Sequence, residues 1–223
     1  MNLAESFKKE LESPTTDIAV QYAEYGLDLL VEDDVLKDIP FISTVVSIYK
    51  IGKTMSDRHY IKQLCIFLNE IEYGISADKK NKYINDFSNK NDKDKEKELE
   101  YVVVILSQYL GEDKPRWLAK LYLAFLINEI EWREFAAYSE IINRFLPGDI
   151  EALKQEEWSQ VKDEEVPDTL IRMSSCGIYM AISKSVTAPN YPGTIEIPAS
   201  NIKDYRITAF GKKLKNILIS DVE

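Results

Sequence analysis

Glycine is scarce in this chain, at 8 of 223 residues. That argues against glycine-rich phosphate loops and against a loop-heavy β fold. Gly26, Gly74, Gly111, Gly148 and Gly177 each stand near the end of an apolar periodic stretch, where helix C-caps favour glycine. The sequence has one histidine, His59, which excludes a two-histidine zinc site. Its two cysteines, Cys65 and Cys176, form no C-x-x-C pair and sit among apolar neighbours, so they read as reduced core thiols. Long hydrophobic runs are missing as well. The longest uncharged apolar stretch, Ile39 to Tyr49, is far short of the roughly 20 residues that cross a bilayer. The first residues lack an apolar signal core, so a cytoplasmic protein that does not engage membranes is expected.

Positive charge is the remaining shortage. The net charge is −10, which repels phosphate backbones unless the basic residues cluster. Residues 1–166 carry 21 basic and 33 acidic side chains, whereas residues 167–216 carry 7 basic and 3 acidic ones. The C-terminal segment is therefore electrostatically distinct.

What is present is helical periodicity. Apolar residues recur at helical spacing in Leu3–Leu11 and in a stretch through Ala19, Tyr22, Ala23 and Leu27. A helix from Ile39-Pro40 to about Met55 is expected, then one carrying Ile61, Leu64, Cys65, Leu68 and Ile71 with Ser56 or Asp57 as its cap. Residues 76–98 are the most polar part and read as an exposed loop leading into a charged helix start. Further helices carry Leu99 to Leu110, Trp117 to Ile127 and Trp132 to Phe145, and Asp149 caps a short one reaching about Gln160. Pro167 to Cys176 suits a helix, Ile178 to Ser185 a strand, residues 186–204 a long connection, and Tyr205 to Thr208 a returning strand. A last helix follows through Phe210, Leu214, Ile217 and Leu218, capped by Thr208. There is no internal repeat and no sustained heptad.

Catalytic signatures fail one by one. Gly52-Lys53-Thr54 resembles the end of a phosphate loop, but position 47 is Ser47 where glycine is needed. Asp92-x-Asp94-x-Glu96 resembles a calcium loop, but Lys97 and Val103 occupy its glycine and glutamate positions. Asp57, Arg58 and His59 are adjacent, yet neighbours on a helix point in different directions. They carry the weakest of three functional readings, an unrecognised hydrolase. No G-x-S-x-G elbow occurs. The chain is expected not to be an enzyme, with no catalytic residue, no metal and no cofactor.

Residues 131–218 order as helix, short helix, helix, strand, long turn, strand, helix. The stretch Tyr205-Arg-Ile-Thr208-Ala-Phe210-Gly211-Lys-Lys-Leu214 resembles the strand-to-helix junction closing the wing of bacterial winged-helix repressors of the multiple-antibiotic-resistance type. In that junction the threonine caps the helix and the glycine lets it pack close to the sheet. Leu170 to Ile178 similarly resembles a recognition helix turning into the wing. The resemblance implies a winged helix-turn-helix in which Arg172, Lys184, Lys203, Arg206 and Lys212 contact phosphates. Two departures stand out: those repressors place an Asp-x-Arg at the wing tip several residues ahead of the threonine, whereas Asp204-Tyr-Arg206 runs straight into Ile207-Thr208, and Asp163-Glu164-Glu165 precedes the recognition helix, where it would face phosphates in the usual docking. Winged helices also serve as protein-docking modules.

The segment from Asp38-Ile-Pro-Phe-Ile to Asp57-Arg58, followed by Ile61-Lys-x-Leu64 and Phe67-Leu68, resembles a recurrent segment of uncharacterised bacterial helical proteins. The resemblance implies a bacterial or mobile-element origin, with phage defence as one context. The expectation is thus a mainly α protein: a multi-helix bundle with a small C-terminal β-hairpin, winged-helix-like. It divides into an acidic helical domain (1–112) and a helical, winged-helix-like domain (113–223). The leading reading is a non-catalytic protein-interaction or regulatory protein with a protein partner. The alternative is a winged-helix DNA-binding regulator using residues 167–215.

Overall fold

The computed structural model describes residues 1–12, 39–74, 77–183 and 202–219. Among these are ten α-helices and a three-stranded antiparallel sheet. The chain divides into two compact units, Met1–Asn143 and Arg144–Glu223. The expected boundary after residue 112 falls inside the first unit, because the helix that follows it packs along an earlier helix of that unit.

The first unit contains α1 (Leu3–Glu12), α2 (Pro40–Tyr49), α3 (Met55–Gly74), α4 (Ala77–Asn89), α5 (Asp92–Gln108), α6 (Asp113–Leu126) and most of α7 (Trp132–Arg144). The α3·α6 packing is its most extensive helix pair. Its centre is aromatic. The fully buried Phe7 ring meets Phe41, Phe87 and Tyr122 edge-on, with centroids 5.2, 5.4 and 5.7 Å away. Tyr122 continues to Phe135 at 5.7 Å, and Phe135 stacks on Trp132 at 5.2 Å. Edge-to-face rings gain electrostatic complementarity beyond their buried area. A ten-residue helix such as α1 is marginal alone. Here it is fixed from both sides: Leu3, Phe7 and Leu11 are buried, and the Glu96 carboxylate of α5 accepts the free amides of Leu3 (3.0 Å) and Ala4 (2.9 Å).

Two local expectations change. Residues 77–89 form a helix, not a loop, since Tyr83 and Phe87 recur at a spacing of four and both are buried. The cap of α3 is Thr54. Its hydroxyl accepts the Asp57 amide (3.2 Å), while Asp57 accepts the Thr54 amide (3.0 Å), a reciprocal box.

The second unit holds α8 (Asp149–Leu153), β1 (Glu157–Lys162), a 3₁₀ turn (Asp163–Glu165), α9 (Asp168–Ser175), β2 (Tyr179–Ser183), β3 (Ile202–Ile207) and α10 (Ala209–Ile219). The sheet order is β1-β3-β2, so β3 is central. The expected helix through Gln160 ends at Leu153, and strand β1 follows it. A bulge between Trp158 and Val161 breaks the alternation that would have marked the strand. Within the bulge Gln160 adopts φ 55, and its amide donates to the buried Asp204 carboxylate at 2.9 Å. The β3–α10 junction forms as expected. The Thr208 hydroxyl accepts the Gly211 amide (3.0 Å) and donates to the Gly177 carbonyl (2.7 Å). A Cβ on Gly211 would lie 2.5 Å from the Ile178 carbonyl oxygen, so only glycine permits this approach. The expected helix around residues 19–27 and most of the 186–204 connection lie outside the described residues.

Candidate functional site

The residues expected to touch phosphates come together in the second unit, but each described one is already engaged. Arg172 leaves the side of α9 as a fork. Its Nε donates to Asp149 Oδ2 (2.9 Å) and its Nη2 to Asp149 Oδ1 (2.6 Å). Asp149 opens α8 and is fully buried. The Leu146 amide (2.9 Å) and the Thr169 hydroxyl (3.1 Å) complete its shell. Burial pushes the Asp149 carboxyl up, but the guanidinium, amide and hydroxyl outweigh it and hold the group below the usual carboxylate value. The pair clamps α8 to α9, and withdrawing Arg172 toward a phosphate would strand a buried charge.

The other candidates are shallower. Lys203 pairs with Asp163 at 2.8 Å, Arg206 with Glu157 at 3.4 Å, and Lys212 with Glu156 at 3.8 Å. Glu156 also accepts from Lys215 at 3.2 Å, and these lysines hold its carboxyl below the usual value. Exposed pairs of this kind add little stability. Their consequence is electrostatic: a carboxylate within 4 Å of each cation offsets its charge and weakens its attraction to a phosphate backbone. Lys184 lies outside the described residues.

The one basic residue of α9, Arg172, is turned to Asp149. Asp168, Ile171 and Ser175 are exposed at helical spacing, and Asp163, Glu164 and Glu165 are exposed in the preceding turn. In that turn Asp163 pairs with Lys203 and Glu165 with Lys162 at 3.1 Å, so the negative charge beside Ile171 rests mainly on Glu164 and Asp168. Sequence reading missed Asp149 as the partner of Arg172. The two residues lie 23 positions apart, and Asp149 carries an ordinary helix-start signal.

In the first unit, Asp57 is committed to the Thr54 cap, and those hydrogen bonds lower its carboxyl pKa. The His59 Nε2 lies 2.9 Å from the Tyr109 carbonyl oxygen, so it carries the proton and donates. No hydrogen bond or ion pair joins Asp57, Arg58 and His59 to one another among the described residues. Asp92 pairs with Lys95 at 2.7 Å and Glu96 caps α1, so the calcium-loop resemblance dissolves into helix-end chemistry. Cys65 is buried, and burial pushes its thiol up to about 12, which makes it unreactive at neutral pH. Both cysteines are free. Among the described residues no group of three or more metal-ligating side chains occurs, and no helix is long and apolar enough to cross a membrane.

These elements define a mainly helical protein with one small antiparallel sheet. Comparison with protein-family models, with curated proteins and with solved structures finds no match.

Proposed function

We propose that the chain is a non-catalytic protein-interaction or regulatory protein, and that the outer face of α9 with the preceding acidic turn contributes its docking surface. One observation carries this reading: the helix best placed to be a recognition helix spends its arginine on the buried Asp149 and shows Asp168, Ile171 and Ser175 outward. Glu164 and Asp168 beside an exposed isoleucine suit a partner with a basic rim and an apolar contact, and they disfavour a phosphate backbone. The spent side chains of Asp57 and His59 support the non-catalytic part. A bacterial, mobile-element origin with a defence role belongs to the same proposal and rests on the resemblance of residues 38–68.

A DNA-binding regulator is the second reading. The order strand, helix, strand, strand with the last strand central supports a winged-helix-like reading of the second unit. It requires Lys203, Arg206 and Lys212 to exchange their carboxylates for phosphates.

Affinity capture of the tagged chain from a bacterial lysate, with and without nuclease, separates the two. A stoichiometric protein that survives nuclease and is lost in Ile171→Glu supports docking through α9. Co-purifying DNA that nuclease removes, and that Arg206→Glu abolishes, sinks the reading in favour of the regulator.

A further inference from the structure

The two edges of the sheet are built differently. Edge strand β1 is blunted: it carries the bulge, the left-handed Gln160, and charged Glu157 and Lys162. These are devices that keep an edge from pairing with other chains. Edge strand β2, Tyr179-Met-Ala-Ile-Ser183, has none of them. It holds no charge, no proline and no glycine, and Tyr179 and Ile182 are residue types that favour strands.

The register shows what β2 offers. Tyr179 to Ser183 pair with Ile207 to Lys203 of β3. The Thr208 amide donates to the Ile178 carbonyl at 2.9 Å, which makes Ile178 and Thr208 a hydrogen-bonded pair. Alternation then makes Met180 and Ile182 the residues bonded to β3. The amides and carbonyls of Tyr179, Ala181 and Ser183 point away from the sheet. No strand lies on that side among the described residues. Met180 is 57% exposed, and Ala181 beside it is exposed too.

We propose that β2 pairs antiparallel with β2 of a second copy of the chain, across a two-fold axis at Ala181. The strand is complementary to itself in that register. Ala181 meets the second copy's Ala181, a small residue where two identical side chains must share the axis. Tyr179 meets the second copy's Ser183, and about six main-chain hydrogen bonds close the outward-facing groups. Met180 falls opposite the second copy's Ile182 at a non-hydrogen-bonded position, where cross-strand side chains approach most closely. Each exposed Met180 is thereby covered by an apolar partner. No like charges meet across the axis, so the isologous contact carries no repulsion. The result is a continuous six-stranded sheet with the blunted β1 strands at both outer edges, which stops further addition. This pairing stands apart from docking through α9, and the purified chain tests it without any other protein.

Sedimentation of the purified full chain at micromolar concentrations reads the mass directly. Wild type is expected at twice 25.7 kDa. Ala181→Pro removes only an outward-facing amide and leaves the β3 ladder intact. Met180→Lys places a charge at the contact without touching the fold. Each is expected to shift the chain to 25.7 kDa. Ala181→Cys in a Cys176→Ser background should cross-link to the dimer mass under oxidation, since hydrogen-bonded antiparallel pairs hold their Cα atoms about 5.5 Å apart. A wild-type monomer at every concentration overturns the proposal. So does a dimer that Met180→Lys leaves unchanged.

Discussion

The two units of this protein solve the problem of holding short helices in opposite ways. Met1–Asn143 relies on burial: a chain of rings from Phe41 through Phe7 and Tyr122 to Phe135 and Trp132 joins helices far apart in sequence. Arg144–Glu223 relies on polar clamps at its junctions. Asp149 and Arg172 lock α8 to α9, Thr208 bridges the α9–β2 turn to α10, and Asp204 holds the β1 bulge. The contrast teaches that a cation in a basic C-terminal segment can serve the fold, as Arg172 does through Asp149. In this small unit such clamps fix the junctions around an apolar core that includes Leu153, Leu170, Ile178 and Leu214.

Substitution tests this contrast most strongly in the first unit. Phe7→Ala removes the ring at the meeting point of three helices and should cost about 3–5 kcal/mol, read by chemical denaturation. A cost below about 1 kcal/mol would mean that α1 is dispensable and the ring network is not the core.

Asp149→Ala should come next, at about 3 kcal/mol, because it leaves Arg172 without the carboxylate that anchors it. Its pH dependence has a defined sign. The folded-state pKa of Asp149 lies below the usual 3.8. The contribution is therefore fully present above the unfolded value and is lost as pH falls through the folded one. The difference in stability between wild type and Asp149→Ala should shrink below about pH 4. A difference that stays constant or grows in acid would contradict the clamp.

Gly211→Ala is expected to be smaller, at about 2 kcal/mol, since one methyl is forced against the Ile178 carbonyl and the Ile207 side chain. Thermal melts of the variant check it. An unchanged melting temperature would show that α10 can retreat from the sheet at no cost.

Much of the fold was legible because helical periodicity is strong. The apolar faces through Ile61, Leu64 and Leu68, and through Leu118, Leu121 and Phe125, are buried as their spacing implies. The Thr208 cap and the Gly211 approach were legible too, since each depends on local chemistry. Strand β1 was not. Glu157 to Lys162 has little β-branched content, and its bulge removes the period-two signal. Helix α4 was masked by its lysines and asparagines, with only Tyr83 and Phe87 to mark a face. The candidate site was least legible, because partners decide what a cation does. Nothing near Arg172 in sequence announces that Asp149 will take its guanidinium, and nothing near Lys203 or Arg206 announces Asp163 or Glu157. Those pairings come from the sheet and from helix packing.

The most direct test of this account is the affinity of the purified chain for duplex DNA at low salt, measured by fluorescence anisotropy over a series of salt concentrations. If the basic residues are occupied internally, as Arg172 by Asp149 and Lys203 by Asp163, binding should be absent or no stronger than millimolar, with no marked salt slope. Micromolar binding that falls steeply with salt and weakens in Lys203→Glu and Arg206→Glu would contradict it, and the second unit would then be a DNA-reading module.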